Sequence, residues 1–187
     1  ADPTRDHAVL VRIVSTLILA PLVLGAAWYG GPAWPTLVAL AVVLALREAI
    51  VIARACGRRP DAVVAIPLAV GLAAAPLLPA DLRAAGATLG VLALGIVAAF
   101  LAQLARRHAG RAIEDWALTV ALAAYIGGCG GLAVALRARP DGAAWVAFLL
   151  LLTWLNDSLA FLVGRRYGRH PMAPHITLLE GSSTSPD

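Results

Sequence analysis

A chain of 187 residues that is 60% hydrophobic, with a mean hydropathy of +0.82, carries more apolar surface than a soluble domain of this size can bury. Its formal charge of +4 comes from fifteen arginines, with no lysine, against eleven acidic residues. The charges sit between apolar runs, so they report on membrane orientation before nucleic acid, and any mechanism that needs a lysine is excluded.

In chain order, the apolar runs predict six membrane-spanning helices, an all-α polytopic bundle. They cover about Leu10 to Tyr29, Pro35 to Ala53, Ala62 to Leu78, Leu82 to Leu104, Trp116 to Leu136 and Gly142 to Val163. Each is near the roughly 20 residues that an α-helix needs to cross the hydrocarbon. Helices are the default, because lipid cannot satisfy an open backbone. The first run lacks a clean small-residue cleavage site and is kept as a helix rather than a signal peptide.

Orientation follows from the arginines. Arg5, Arg12, Arg47, Arg54, Arg58, Arg59, Arg106, Arg107, Arg111, Arg165, Arg166 and Arg169 fall on one side, and only Arg83, Arg137 and Arg139 on the other. The positive-inside rule puts the first group, and both termini, in the cytoplasm. Trp28, Trp34, Trp116 and Trp145 fall near predicted helix ends, as an interfacial aromatic belt would. Gly86 with Gly90, and Gly127 with Gly131, have the spacing that lets helices approach closely. The run Gly127-Gly128-Cys129-Gly130-Gly131 has no following Lys-Ser/Thr, so it reads as packing rather than a phosphate loop. Cys56 and Cys129 have no metal or redox spacing and read as buried thiols. Residues 177–187 read as a polar tail after the helical domain, disordered or non-native.

Chemistry concentrates where the sixth run ends. Asp157 lies within the apolar segment, and an ionisable group at membrane depth is expensive enough to suggest function. A carboxylate there needs a cation, a metal or a proton, and could serve a reacting phosphate directly or through Mg²⁺. Arg165, Arg166 and Arg169 follow, as a cluster suited to phosphate and singly to anchoring the cytoplasmic end by positive-inside charge, and Gly164 and Gly168 would let the backbone turn towards a head group. Arg47 and Glu48 read as a local ion pair or interface anchor, and Glu114 and Asp115 as first-turn acids favoured by a helix dipole. His170 and His175 have no third ligand nearby, so no metal site is assigned.

The stretch Asp157-Ser158-Leu159-Ala160-Phe161-Leu162-Val163-Gly164-Arg165-Arg166-Tyr167-Gly168-Arg169-His170-Pro171-Met172-Ala173-Pro174-His175-Ile176 resembles a pattern that phosphatidate cytidylyltransferases carry after an apolar helix, with Phe161 at a usual tyrosine. Val11 to Thr16, Pro21 to Leu24, Arg47-Glu48 and Arg137 to Gly142 also look like that family, so the resemblance covers about residues 8 to 176. It implies CTP and phosphatidate as substrates and Mg²⁺ as cofactor. It further implies a multi-pass protein of the cell (inner) membrane with a cytoplasmic active face, in phospholipid biosynthesis, and a homodimer. Asp157 would be catalytic, and Asn156, Ser158, Gly164, Arg165, Arg166, Gly168 and Arg169 would bind substrate. After Ile176 the family pattern continues Ser-Pro-x-Lys-Thr-x-Glu-Gly, where this chain has Thr177-Leu178-Leu179-Glu180-Gly181. The chain is therefore expected to be the N-terminal part of such an enzyme, cut or frame-shifted near Ile176 and inactive alone. The family's main metal ligands would lie further on. Two other readings stay open: a CTP-dependent polyprenol or phytol kinase, and a noncatalytic transporter half or assembly partner.

Overall fold

The computed structural model describes residues 19–105 and 111–167. The described residues are α-helical apart from short turns, as expected for a membrane helix bundle. The helices are α1 (Leu19–Tyr29), α2 (Ala33–Ala55), α3 (Ala62–Ala74), α4 (Ala80–Ala84), α5 (Ala87–Ala105), α6 (Ala112–Arg137) and α7 (Gly142–Tyr167). Among the described residues four segments, Ala33–Ala55, Ala87–Ala105, Ala112–Arg137 and Gly142–Gly164, are long and apolar enough to cross a membrane. The α3 helix is shorter, but a 3₁₀ turn over Ala75–Leu77 extends it to about 25 Å, close to the hydrocarbon thickness.

The chain divides into one compact unit ending at Ala147 and a second from Phe148 onward. In the first unit α3 is central, packing on α6, α2 and α5. Its buried positions include Ala65, Ala69 and Ala73, a stripe of small side chains one turn apart. Facing it, α6 presents Gly127, Gly130 and Gly131. A Cβ on Gly127 would lie 2.5 Å from the Ala69 carbonyl oxygen, and one on Gly131 would lie 2.7 Å from that of Leu72. The backbones of α3 and α6 therefore touch, which is how helices associate where lipid is as apolar as the side chains. From α2, Trp34, Val38, Val42, Leu46 and Ile50 form the buried stripe that closes this core.

Polar contacts tie the far end of the unit. The indole N–H of Trp34 donates to the Ala133 carbonyl at 3.1 Å. The Arg137 guanidinium donates to the carbonyls of Ala27 and Trp28 at the end of α1. Gly30, at φ +68, makes the turn into α2 beside Arg137, and a side chain there would strike the guanidinium. Between α6 and α7, Asp141 takes φ 58 and its carbonyl starts the next helix by accepting from Ala144 and Trp145.

Several expectations are corrected. The run from Leu82 to Leu104 is two helices, because Gly86 at φ +82 breaks the chain between α4 and α5. A Cβ on Gly86 or Gly90 would meet nothing within 4 Å, so that pair packs no helix. Trp34 is buried, and Trp116 donates to the Ile96 carbonyl at 3.1 Å and meets Phe100 edge-on. These two indoles therefore point inward and satisfy carbonyls, whereas Trp28 and Trp145 remain exposed. Both thiols are exposed rather than buried. Arg47 and Glu48 form no ion pair with each other, because adjacent helical residues project about 100° apart. Arg5, Arg12, Arg106, Arg107, Gly168, Arg169, His170, His175 and the tail lie outside the described residues.

Exposure of the thiols gives a test of orientation. Cys56 ends α2 at the arginine-rich end, whereas Cys129 lies about 12 Å inside α6 from Arg137. A membrane-impermeant maleimide should label Cys56 from the cytoplasmic side and leave Cys129 unmodified, read as a single mass increment. Labelling of Cys56 from the opposite side would reverse the topology.

Candidate functional site

At the arginine-rich end of the first unit, the α2–α3 loop is held by buried polar groups. Asp61 is the N-cap of α3, its carboxylate accepting from the Val63 N–H at 2.9 Å. The Asp61 N–H donates to the Thr119 hydroxyl at 2.9 Å, and that hydroxyl donates to the Asp115 carbonyl at 2.6 Å. The Asp115 carboxylate accepts from the Arg59 N–H at 2.9 Å. Gln103 of α5 makes a long contact, 3.5 Å, to the Arg59 carbonyl. Asp61, Gln103, Asp115 and Thr119 are all buried, so their hydrogen bonds replace lost water and fix the loop against α5 and α6.

Arg58 of this loop pairs with Glu114 of α6; the side chains are 37% and 56% exposed, so solvent screens the pair and it contributes little stability. Glu114 and Asp115 are indeed first-turn acids of α6, as expected, and each has a loop partner besides. Arg54, Arg59 and Arg111 remain exposed around this end. Beside them a shallow apolar groove of about 420 Å³ runs between α2 and α6, lined by Ala49, Ile52, Ala53, Cys56, Leu118 and Leu122, with Arg58 at one edge. Its chemistry suits a hydrocarbon chain beneath an anionic head group.

The second unit holds the expected catalytic segment. Asn156, Asp157 and Ser158 are consecutive on α7 and all exposed. The helix continues through Gly164 to Tyr167, which corrects the expectation of a turn at Gly164. One glycine costs a helix about 1 kcal/mol, too little to stop it between apolar and arginine-rich turns. Continuity separates the groups. Gly164, seven residues on, shares the Asp157 face, whereas Arg166, nine on, lies on the opposite face about 13 Å along the axis. Asp157 and Arg166 therefore address different places. Arg165 falls within α7 too, and Gly168 and Arg169 lie outside the described residues.

Among the described residues, no three His, Cys, Asp or Glu side chains gather to hold a metal ion. Sequence reasoning missed Asp61, Gln103 and Thr119. A Pro-Asp step before an apolar run is a readable N-cap signal for Asp61. Gln103 and Thr119 carry no local signal, because their partners are 44 and 58 residues away.

Residues 10–177 match the model of the cytidylyltransferase family. No curated protein and no solved structure matches the chain.

Proposed function

The chain belongs to the cytidylyltransferase family, and from that premise we propose that it serves the conversion of CTP and phosphatidate to CDP-diacylglycerol and pyrophosphate. The observation that carries this reading is the family match over residues 10–177, nearly the whole chain. A phosphate oxygen of phosphatidate attacks the α-phosphorus of CTP. The new P–O bond forms as the bond to the β-phosphate breaks, and pyrophosphate leaves. Little covalent chemistry falls to the protein, so its work is positioning and charge.

Asp157, with Asn156 and Ser158 beside it, is the proposed polar centre on an otherwise apolar helix. Arg165, Arg166 and Arg169 are the proposed phosphate contacts, and Arg166 serves a different phosphate from the one nearest Asp157. The acyl chains stay in lipid, and the active face is the cytoplasmic side of the cell membrane, as the arginine distribution supports. Mg²⁺ is the cofactor proposed for this reaction. The described residues do not assemble a site for it, and one carboxylate on α7 is not a metal centre.

Acceptor choice tests the reading. In vesicles that carry an intact family member containing this segment and are supplied with CTP, phosphatidate should be consumed and a long-chain alcohol left unchanged. Phosphorylation of the alcohol would replace this reading with a lipid kinase, and absence of CTP or lipid-phosphate binding would favour a noncatalytic role.

A further inference from the structure

The groove of about 420 Å³ between α2 and α6 has a direction. Its lining on α2, from Ala49 to Cys56, runs seven residues, about 10 Å, towards the arginine-rich end. Ala49 and Ala53 are small, and Leu118 and Leu122 of α6 complete an aliphatic wall. Two guanidinium groups stand at the mouth. Arg58 lines the groove itself. Arg111 reaches the same loop, since a Cβ on Gly57 would lie 4.0 Å from one of its guanidinium nitrogens. Gly57 is the residue between Cys56 and Arg58, both of which line the groove.

The two charges are not equivalent. Arg58 shares its charge with Glu114, whereas Arg111 has no carboxylate partner among the described residues. Arg111 stands at the N-cap of α6, but its side chain makes no capping hydrogen bond. Positive-inside charge accounts for arginines at this end of the bundle. It does not account for an uncompensated guanidinium beside an apolar channel. A ligand that fits both parts carries an aliphatic chain with a single negative charge at its head. A phosphodiester has one such charge. A phosphate monoester carries about two near neutral pH and would leave one of them unmatched.

We propose that this groove binds a phosphodiester phospholipid of the cytoplasmic leaflet, with one acyl chain along Ala49, Ala53, Leu118 and Leu122 and the phosphate on Arg111 and Arg58. The lipid is a resident of the bundle and not a substrate. Every residue that holds it belongs to the first unit, and none belongs to α7. The site therefore stands whether or not the chain transfers a cytidylyl group.

The test uses the full chain in phosphatidylcholine vesicles doped with a lipid that carries a photoreactive acyl chain, and maps the adducts by peptide mass spectrometry. At equal doping, residues 49–56 and 118–122 should take phosphatidylglycerol about fivefold over phosphatidylcholine. R111Q should bring that ratio close to one, and the helix is retained because Arg111 makes no capping bond. A53L fills the groove, keeps both guanidinium groups and should remove adducts of both lipids from these residues. Soluble glycerol phosphate should displace nothing. Equal labelling by the two lipids in the wild type would mean bulk lipid only and overturn the site. A ratio unchanged in R111Q, or adducts unchanged in A53L, would overturn it too. Displacement by glycerol phosphate would replace the lipid with a free phosphate. Stronger labelling by phosphatidate than by phosphatidylglycerol would overturn the resident role and give the groove to the substrate.

Discussion

Replacing Asp157 with asparagine should lower cytidylyl transfer at least about 100-fold while leaving membrane insertion and helix content unchanged. The substitution keeps shape and removes only charge. Asp157 is exposed on α7 and anchors no described hydrogen bond or ion pair, so the fold does not depend on it. Apart from Asn156 and Ser158 the segment around it is apolar, and a carboxylate kept there without a structural partner among the described residues points to a substrate. The measurement is the initial rate of CMP incorporation into lipid, in an intact family member carrying the corresponding aspartate, with insertion of this chain followed in parallel. Wild-type turnover in the asparagine variant would remove Asp157 from the chemistry.

The second large effect is on stability and comes from two adjacent glycines. Gly127→Ala should destabilise the bundle by about 2–3 kcal/mol, because its Cβ would meet the Ala69 carbonyl oxygen at 2.5 Å and Ala69 Cα at 2.6 Å. Those atoms are backbone and yield only if α3 and α6 separate along their whole contact. Gly128→Ala should be neutral or stabilising by up to about 1 kcal/mol, since its Cβ meets nothing within 4 Å and alanine is the better helix former. Detergent-induced unfolding midpoints for the two variants should therefore move differently. Equal loss at both positions would mean that the glycine run acts through helix propensity and not through the α3–α6 contact.

The helices were readable in the sequence because burial in lipid demands long uninterrupted apolar runs, and α2, α5, α6 and α7 provide them. The break at Gly86 was not, because hydropathy averages over a residue whose information is its backbone angle. Gly127 and Gly131 were readable by spacing, but Gly86 and Gly90 share that spacing and pack nothing. Only the opposing helix distinguishes the two pairs. Trp34 and Trp116 misled for a related reason: an indole near a helix end suits the interface, yet its N–H is equally able to satisfy a neighbouring helix's carbonyl. Asp157 stood out because charge in an apolar run is conspicuous. Thr119 and Gln103 did not, because their hydrogen bonds to the α2–α3 loop join residues that only folding brings together, whereas the Asp61 N-cap was legible and overlooked. Continuation of α7 past Gly164 was hidden by the glycine itself, which permits a turn without requiring one.

Cytidylyl transfer and phosphorylation separate by which phosphate of CTP reaches lipid. An intact family member that contains this segment, in phosphatidate-containing vesicles, is given CTP labelled at the α-phosphorus in one reaction and at the γ-phosphorus in another, and the lipid is extracted. Label from the α-position, and none from the γ-position, is the result predicted for cytidylyl transfer. Label from the γ-position would contradict it and identify a kinase.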